Sequence, residues 1–378
     1  MSSFIGASEA ARLLGVTTAT LYAYVSRGRI SRRTGPDGRA SLFALDEVEA
    51  LAARSTRAPL GPRSTIDVRV SSSITVLRDD GLSIRGHELS DVVRSHSFEA
   101  IADLLWSGEL GSGMWPTGRR SPALPPVTVP PGLQPVTKLA VAAQMLGDQF
   151  PDDDAPMAAR RLLSAAPDVL GARRRTGSIA RRLTSVWRRS PSPELVAAVD
   201  TALGLLADHE LATSTLAVRV AASVRATPMA AFAAGLAVVS GPLHGMASIE
   251  AHQFLEDCAR CGVADTVAGY RADRRRLPGF GHKVYRGPDP RFDVLLDSVR
   301  ALSETAQSDR ALIDEVLAEV GRVIPKHPNI DLALGALTYS AGLDHRVPLF
   351  AVARIAGWAA HYVEELDAPP VRYRGIIA

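Results

Sequence analysis

Cysteine and lysine are almost missing from this 378-residue chain, with two of the first and three of the second. Cys258 and Cys261 alone exclude a disulfide framework, and one C-x-x-C pair without a second ligand pair cannot close a zinc site. Spaced three apart on an expected helix, they read as reduced packing residues. Long apolar runs are missing as well. The longest uncharged stretch, Ala226 to Leu243, is broken by Pro228, Gly235 and Pro242 and is too short to span a bilayer. The opening MSSFIGASEAARLLGV has no basic segment followed by an apolar one, so no secretory signal is expected and a soluble cytoplasmic protein follows. Neither sign of charge is in excess: the formal net charge of +3 excludes a polycation. Arginine carries the positive charge, with lysine only at Lys138, Lys283 and Lys326, which reads as coding bias and not chemistry.

What is present is enough for a large core. Hydrophobic residues make up 46% and charged ones 22% of the chain, at a mean hydropathy of +0.06, so global disorder is excluded. The length suits two or three domains at about 100–200 residues each.

Residues 4–54 read as one small unit. Ser8 precedes the apolar pattern Ala10, Ala11, Leu13, Leu14, a helix stopped at Gly15. Thr17 caps a second helix carrying Leu21, Tyr22 and Val25, stopped at Gly28, which completes a helix-turn-helix. Pro36-Asp37-Gly38 marks a turn between two extended segments, a hairpin wing, and Asp46 starts a third helix. Residues 58–72 are polar and proline-containing and read as a linker. After Ser73 the pattern is predominantly helical, with expected helices from Phe98 to the last at Leu349–Leu366 and no alternation with β-branched strands. Residues 111–135, rich in proline and glycine, read as a loop. Nine arginines and one acid, Asp168, lie between Arg160 and Arg189; a solvated helix face and a patch facing nucleic acid or coenzyme A are both open readings.

Four places in the helical part ask for chemistry. His244 sits in Gly241-Pro242-Leu243-His244-Gly245, at the end of a very apolar helix. His282 follows Gly279-Phe280-Gly281, where the glycine pair lets the backbone approach a ligand; it is no dinucleotide fingerprint, since the third glycine and the preceding strand are missing. Pro328-Asn329-Ile330-Asp331 precedes an apolar helix, and either Asn329 or Asp331 serves as its cap on a purely structural reading. Arg354 lies inside the apolar run Leu349 to Trp358. A guanidinium there costs several kcal/mol unless an anion meets it, either a bound carboxylate or an Asp or Glu from elsewhere in the chain. His209-Glu210 begins like a zinc-protease motif, but Thr213 stands where the second histidine belongs, so a metal is not expected.

Taken together, in order and spacing, these segments resemble the citrate synthase family. DHELATST (208–215), GPLHG (241–245), PGFGHKVYRGPDPR (278–291), PNID (328–331) and ARIAGW (353–358) match its successive signatures. Ile74 to Leu110 and the closing Arg372-Tyr373-Arg374-Gly375 are similar to its two ends, so the resemblance covers about residues 73–378. Residues 4–54 resemble the MerR/excisionase-type winged helix-turn-helix. The resemblance implies a mainly α, two-domain helical fold preceded by that small module. The boundaries expected are 1–57 for the module, 58–72 for the linker, 73–245 with 341–378 for a large domain, and 246–340 for a small one.

It also implies a homodimer that condenses acetyl-CoA with oxaloacetate or a related 2-oxo acid and hydrolyses the adduct to citrate and CoA. Asp331 would be the base, His244 the enolate stabiliser and His282 the group that polarises the ketone. His209, Arg291 and Arg354 fall on acceptor-binding positions, and Arg286 on one facing CoA phosphate. No metal and no cofactor beyond the co-substrate acetyl-CoA is implied. The departures are Ala368, where the family has an arginine reaching its partner's acceptor site, Leu206 for a histidine and Ala212 for an asparagine. Arg372, or Arg374, is expected to compensate at the acceptor. In the module, Thr18, Thr20 and Tyr22 would lie nearest base edges and Arg27 and Arg29 on phosphates. The alternative to an enzyme is a transcription regulator whose synthase-like body senses a metabolite without turnover.

Overall fold

The computed structural model of the protein describes residues 4–14, 16–35, 41–45, 47, 48, 51, 70–78, 81–113, 115, 127–241, 244–282, 284, 285, 287–303 and 307–373. The chain divides into two units, Met1–Arg69 and Val70–Ala378.

In the first unit, β1 (Phe4–Gly6) leads into α1 (Ala7–Leu13) and α2 (Thr18–Ser26), followed by β2 (Arg32–Thr34) and β3 (Ser41–Ala44). The wing is antiparallel, with Arg33 opposite Leu42, and β1 adds a third strand on the other edge of β3. That outer strand has no sequence signal, since it is only Phe4-Ile5-Gly6. The Thr17 hydroxyl accepts the Thr20 N–H at 3.3 Å to cap α2, and Gly28 at φ +66° carries the chain out of it. Ser8 lies within α1 and not before it. Leu21, Phe43 and Val48 are fully buried and form the core with Ile5, Ala10 and Ile30. Leu45, Glu47, Val48 and Leu51 are helical, in line with the expected third helix. The turn at 36–38 and most of the expected linker lie outside the described residues.

The second unit opens with a small antiparallel meander, β4 (Thr75–Leu77), β5 (Leu82–Ile84) and β6 (His87–Glu88). The sequence does not announce this meander, because strands of two or three residues are too short to show a period. The helices are α3 (Leu89–Ser95), α4 (Phe98–Ser107), α5 (Pro135–Gln149), α6 (Ala155–Val169), α7 (Ile179–Trp187), α8 (Pro193–Leu206), α9 (Thr213–Ser223) and α10 (Pro228–Val239). They continue with α11 (Ala247–Cys261), α12 (Val263–Ala272), α13 (Pro290–Arg300), α14 (Gln307–Val323), α15 (Ile330–Ser340) and α16 (Leu349–Leu366).

A recurring local signal starts these helices. Ser192-Pro193, Thr227-Pro228 and Asp289-Pro290 each pair a capping side chain with a proline at the first helical position, where the missing N–H loses no bond. The cap oxygens accept the N–H of Leu195 (3.1 Å), Ala230 (3.4 Å) and Arg291 (3.1 Å). Helix α16 runs through the core, buried from Ala351 to Tyr362 with Trp358 fully enclosed. Its Gly357 N–H donates to the Ala207 carbonyl at 3.0 Å, and any side chain there would strike Asp208. That close approach seats the end of α8, and with it Asp208 and His209, against α16. In the arginine-rich stretch, Asp168 pairs with Arg175 (3.0 Å) and the buried Arg182 (3.1 Å), while Arg173, Arg181, Arg188 and Arg189 are exposed. Cys258 is buried and Cys261 exposed, both free thiols. Among the described residues, no helix is long and apolar enough to cross a membrane.

Candidate active site

The site is assembled by one junction between a loop and two helix starts. Gly279 and Gly281 both take positive φ, +77° and +80°, and a Cβ on Gly279 would sit 2.6 Å from Leu332 Cβ at the start of α15. Only glycine fits that turn. Asn329 locks it: its N–H donates to the Gly279 carbonyl (2.9 Å), its side-chain amide donates to the Gly281 carbonyl (2.7 Å), and its Oδ1 accepts the Asp331 N–H (3.0 Å). Asn329 is therefore the cap of α15, which leaves the Asp331 carboxyl unassigned to capping. Asp289 ties in the third strand of the argument. It caps α13, grips the Arg291 guanidinium through Nε (2.9 Å) and Nη2 (2.8 Å), and accepts the Ile330 N–H at 3.0 Å. Residues 279–282, 289–291 and 328–331 thus share one hydrogen-bonded cluster, although forty or more positions separate its ends.

Backbone N–H groups set the tautomers of His282 and His244. His282 Nδ1 accepts the N–H groups of Val284 (3.0 Å) and Tyr285 (3.2 Å), which places the ring proton on Nε2. Burial, reinforced by Arg291, lowers its pKa and keeps it neutral. His209 lies edge-on to His282 at 5.2 Å between ring centroids and shares a 3.2 Å hydrogen bond with the Tyr285 hydroxyl. Burial, with Arg291 and Arg354 close by, holds His209 well below the usual histidine range. His244 Nε2 accepts the backbone N–H of Ser214 at 3.3 Å and lies 2.8 Å from its hydroxyl, so its proton belongs on Nδ1. Its ring meets Phe350 edge-on at 5.6 Å, and the Arg354 guanidinium lies 4.7 Å from that same ring.

Arg354 answers the question its sequence context posed. It is 1% exposed, and its Nε and Nη1 have no hydrogen-bond partner. Burial pushes its pKa down to about 10, with Asp208 pulling it back up, so it stays charged at neutral pH. Asp208, fully buried, receives hydrogen bonds from Thr75 and from His361 Nε2 (3.3 Å) but makes none to Arg354. A buried guanidinium with two idle N–H faces is a demand for an anion. Burial lifts Asp331 to about 6, opposed by Arg291 and Arg354, while part of its surface stays open. His209, Arg291, Arg354 and Asp331 form one electrostatic neighbourhood, joined to His282 through His209 and to His244 through Phe350.

Arg372 is paired within its own chain. Its Nε donates to Glu365 Oε1 at 2.6 Å, and Glu365 also receives Arg219 at 2.8 Å. Glu365 lies eleven residues beyond Arg354 on α16, about 16 Å along the axis at 1.5 Å per residue. The buried carboxylate needs cations, and it takes Arg372 as one of them. Arg286 and Arg374 lie outside the described residues. Several partners escaped the sequence reading: Tyr285, Ser214, Phe350, and the basic side chains of Arg276, Lys326 and His327. These last three line a cavity of about 500 Å³ together with Phe280, His282 and Tyr285. Among the described residues no group of three or more His, Cys, Asp or Glu is placed to hold a metal ion.

In the small unit, Thr18, Tyr22, Arg27 and Arg29 are exposed on or just after α2. Thr20 is half-buried, with its hydroxyl 2.9 Å from that of Thr17. Arg32 lies 5.9 Å from the Tyr22 ring centroid, a stacked cationic edge beside the helix.

The family model for the citrate synthase C-terminal domain matches residues 67–374. The chain belongs to the citrate synthase family. It is an enzyme of the citrate synthase type, and a helix-turn-helix domain model matches residues 4–56. Among its relatives, Citrate synthase 2 of Bacillus subtilis is 28% identical over 338 residues, covering 79% of this chain and 90% of the relative. A 2-methylcitrate synthase of Mycobacterium tuberculosis is 28% identical over 336 residues, covering 80% and 85%. The fold matches the solved citrate synthase of Thermoplasma acidophilum, determined as a ternary complex with carboxymethyl coenzyme A and oxaloacetate, at a TM-score of 0.68 and 22% identity over 82% of this chain and 95% of that one. The Pyrobaculum aerophilum citrate synthase aligns at a TM-score of 0.66 and 22% identity over 82% and 89%.

Proposed function

We propose that this protein condenses the acyl group of acetyl-CoA with a 2-oxo acid, oxaloacetate or a relative of it, and hydrolyses the adduct to release CoA. The observation that carries the reading is the buried, unpartnered guanidinium of Arg354, coupled to a carboxyl raised to about 6 and to neutral His209. The acceptor carboxylate takes the idle face of Arg354, and Arg291 adds its charge nearby.

Asp331 draws the α-proton of the thioester. A carboxyl at about 6 is ionised at neutral pH yet more basic than an exposed one, as a general base requires. His244 donates Nδ1–H to the thioester oxygen as negative charge develops there, a fixed dipole worth about 3–4 kcal/mol. The enolate carbon attacks the ketone carbon of the acceptor, and His282 gives its Nε2 proton to the new alkoxide. Water then cleaves the thioester, and CoA leaves as the thiol. Arg276 and Lys326 supply positive charge for the CoA phosphates, with His327 beside them, near the position of Arg286. Side chains and the attacking water supply the protons of this sequence, and the proposal names no metal and no bound cofactor.

The helix-turn-helix unit is proposed to bind DNA through Thr18 and Tyr22 with Arg27, Arg29 and Arg32 on phosphates, and a homodimer would present two such units. A second reading, a regulator that binds the same metabolites without turnover, draws on the diversion of Arg372 to Glu365. Thiol release from acetyl-CoA, measured with oxaloacetate, pyruvate and 2-oxobutyrate, separates the two. Release with one of them, lost on Asp331→Asn and His244→Ala, supports the enzyme. No release with any acceptor contradicts it.

A further inference from the structure

A second cavity, of about 390 Å³, borders the elements that carry the proposed chemistry. Its wall includes Gly245, the residue after His244, and Leu334 and Thr338, one and two turns beyond Asp331 on α15. Phe350 and Ala351 of α16 and Ile249 of α11 line it as well. Phe350 is the ring that touches both His244 and the Arg354 guanidinium, so the chamber adjoins the reacting groups without being the acceptor site itself. Asp331, Leu334 and Thr338 fall at i, i+3 and i+7 and share one helix face. A chain growing from a carbon held at the Asp331 carboxyl therefore runs along that face into the chamber.

The wall is mostly apolar, although Gln134, Thr137, Ser240, Ser248, His345 and Arg346 also line it. The one hydroxyl on the α15 face, that of Thr338, donates to carbonyls of its own helix at 3.0–3.1 Å and meets His252 Nδ1 at 2.9 Å, so it is already satisfied. Gly245 cannot be replaced by a larger residue, because a Cβ there would strike the Val239 carbonyl. An acetyl methyl leaves this space empty. Four further methylenes, each close to the 30 Å³ or so that a water occupies in liquid, fit within it.

Resting on the function proposed above, we propose that the chamber receives the alkyl chain of acyl-CoA donors longer than acetyl, in the range of four to six carbons. The bonds made and broken are the same. The α-proton goes to Asp331, the α-carbon bonds to the ketone carbon, and hydrolysis releases CoA, while the chain beyond the α-carbon is only packed. An alkyl chain on the 2-oxo acid has the same chemistry; the position of Asp331 at the head of the shared face assigns the chamber to the donor.

The test compares kcat/KM for acetyl-, butyryl- and hexanoyl-CoA with one fixed acceptor, in the full-length protein and in Ile249→Trp and Ala351→Leu, which fill the chamber. Butyryl-CoA is expected within threefold of acetyl-CoA or better, and the butyryl-to-acetyl ratio is expected to fall at least tenfold in either folded variant. A wild-type ratio below one in a hundred, or a ratio unmoved in a folded variant, overturns the assignment. A gain seen on lengthening pyruvate to 2-oxohexanoate with acetyl-CoA fixed, and not on lengthening the thioester, overturns it in favour of the acceptor. Absence of thiol release with every donor refutes the proposed function, and the chamber is then judged by calorimetric binding. Hexanoyl-CoA tighter than acetyl-CoA by about fourfold per buried methylene supports it, and equal affinities overturn it.

Discussion

Asp331→Asn removes one titratable proton and nearly preserves the shape of the side chain. In the folded protein this carboxyl is lifted by burial from its ordinary 3.8 to about 6. The folded state therefore holds the proton more tightly than the unfolded chain does. The stability this lends is fully present below about pH 4 and is lost as pH rises through 6, so at neutral pH the ionised carboxylate strains the fold. The full displacement corresponds to about 3 kcal/mol at 1.36 kcal/mol per pH unit. Because part of Asp331 stays open to solvent, about 1–2 kcal/mol is the expected gain in Asp331→Asn at pH 8. The gain should shrink by more than half at pH 4.5, where the wild-type carboxyl is protonated too. Urea unfolding followed by tryptophan fluorescence reads this directly, since Trp106, Trp115, Trp187 and Trp358 all belong to the second unit. The same variant should lose catalysis by about 10²–10⁴, the usual contribution of a positioned base. An asparagine variant no more stable than wild type at pH 8, or one that still releases thiol at the wild-type rate, refutes the assignment of Asp331.

Three further outcomes follow from the same geometry. Wild-type kcat/KM should rise with unit slope up to about pH 6 and then level, which a pH–rate profile checks. Arg354→Met should lower kcat/KM by about 10³ through the acceptor KM while leaving the unliganded protein folded by circular dichroism, because no hydrogen bond of its Nε or Nη1 is lost. Gly279→Ala should destabilise the second unit by about 2 kcal/mol or more in urea, since the new Cβ meets the Leu332 backbone at 2.9 Å from a positive-φ position. In the first unit, Arg27→Ala with Arg29→Ala should reduce the slope of log affinity against log salt by about two in mobility-shift titrations of DNA fragments.

Much of the fold was legible because its signals are local. The apolar run around Arg354 announced both a buried helix and an unmet anion, and the cap-plus-proline starts of α8, α10 and α13 are equally local signals. The meander β4–β6 was not legible, because two- and three-residue strands carry no period. Helix α7 hides in the arginine-rich run: Ile179, Ala180 and Leu183 supply its buried apolar face, too few to stand out. At the site, glycine-flanked histidines and Pro-Asn-Ile-Asp were visible as oddities, but their meeting depends on Asn329 and Asp289, whose hydrogen bonds span 40–50 positions. Which of Asn329 and Asp331 caps α15 was undecidable from spacing alone; the Asp331 N–H donating to Asn329 Oδ1 decides it, with two further bonds tying Asn329 to the glycine loop. Tyr285 escaped notice since its partner His209 is 76 residues away. The pairing of Arg372 with Glu365 was not legible either, because that carboxylate is buried for reasons that only the packing of α16 against Arg219 reveals.

In the proposed mechanism His244, His282 and Asp331 act on one pair of substrates to join two carbon atoms. Incubation of the full-length protein with acetyl-CoA carrying ¹³C in both acetyl carbons and an unlabelled 2-oxo acid, followed by ¹³C NMR, tests it most directly. A new methylene resonance bonded to a quaternary or tertiary alcohol carbon, absent in Asp331→Asn, is the predicted result. Labelled acetate alone, or unchanged acetyl-CoA with every acceptor tried, contradicts it.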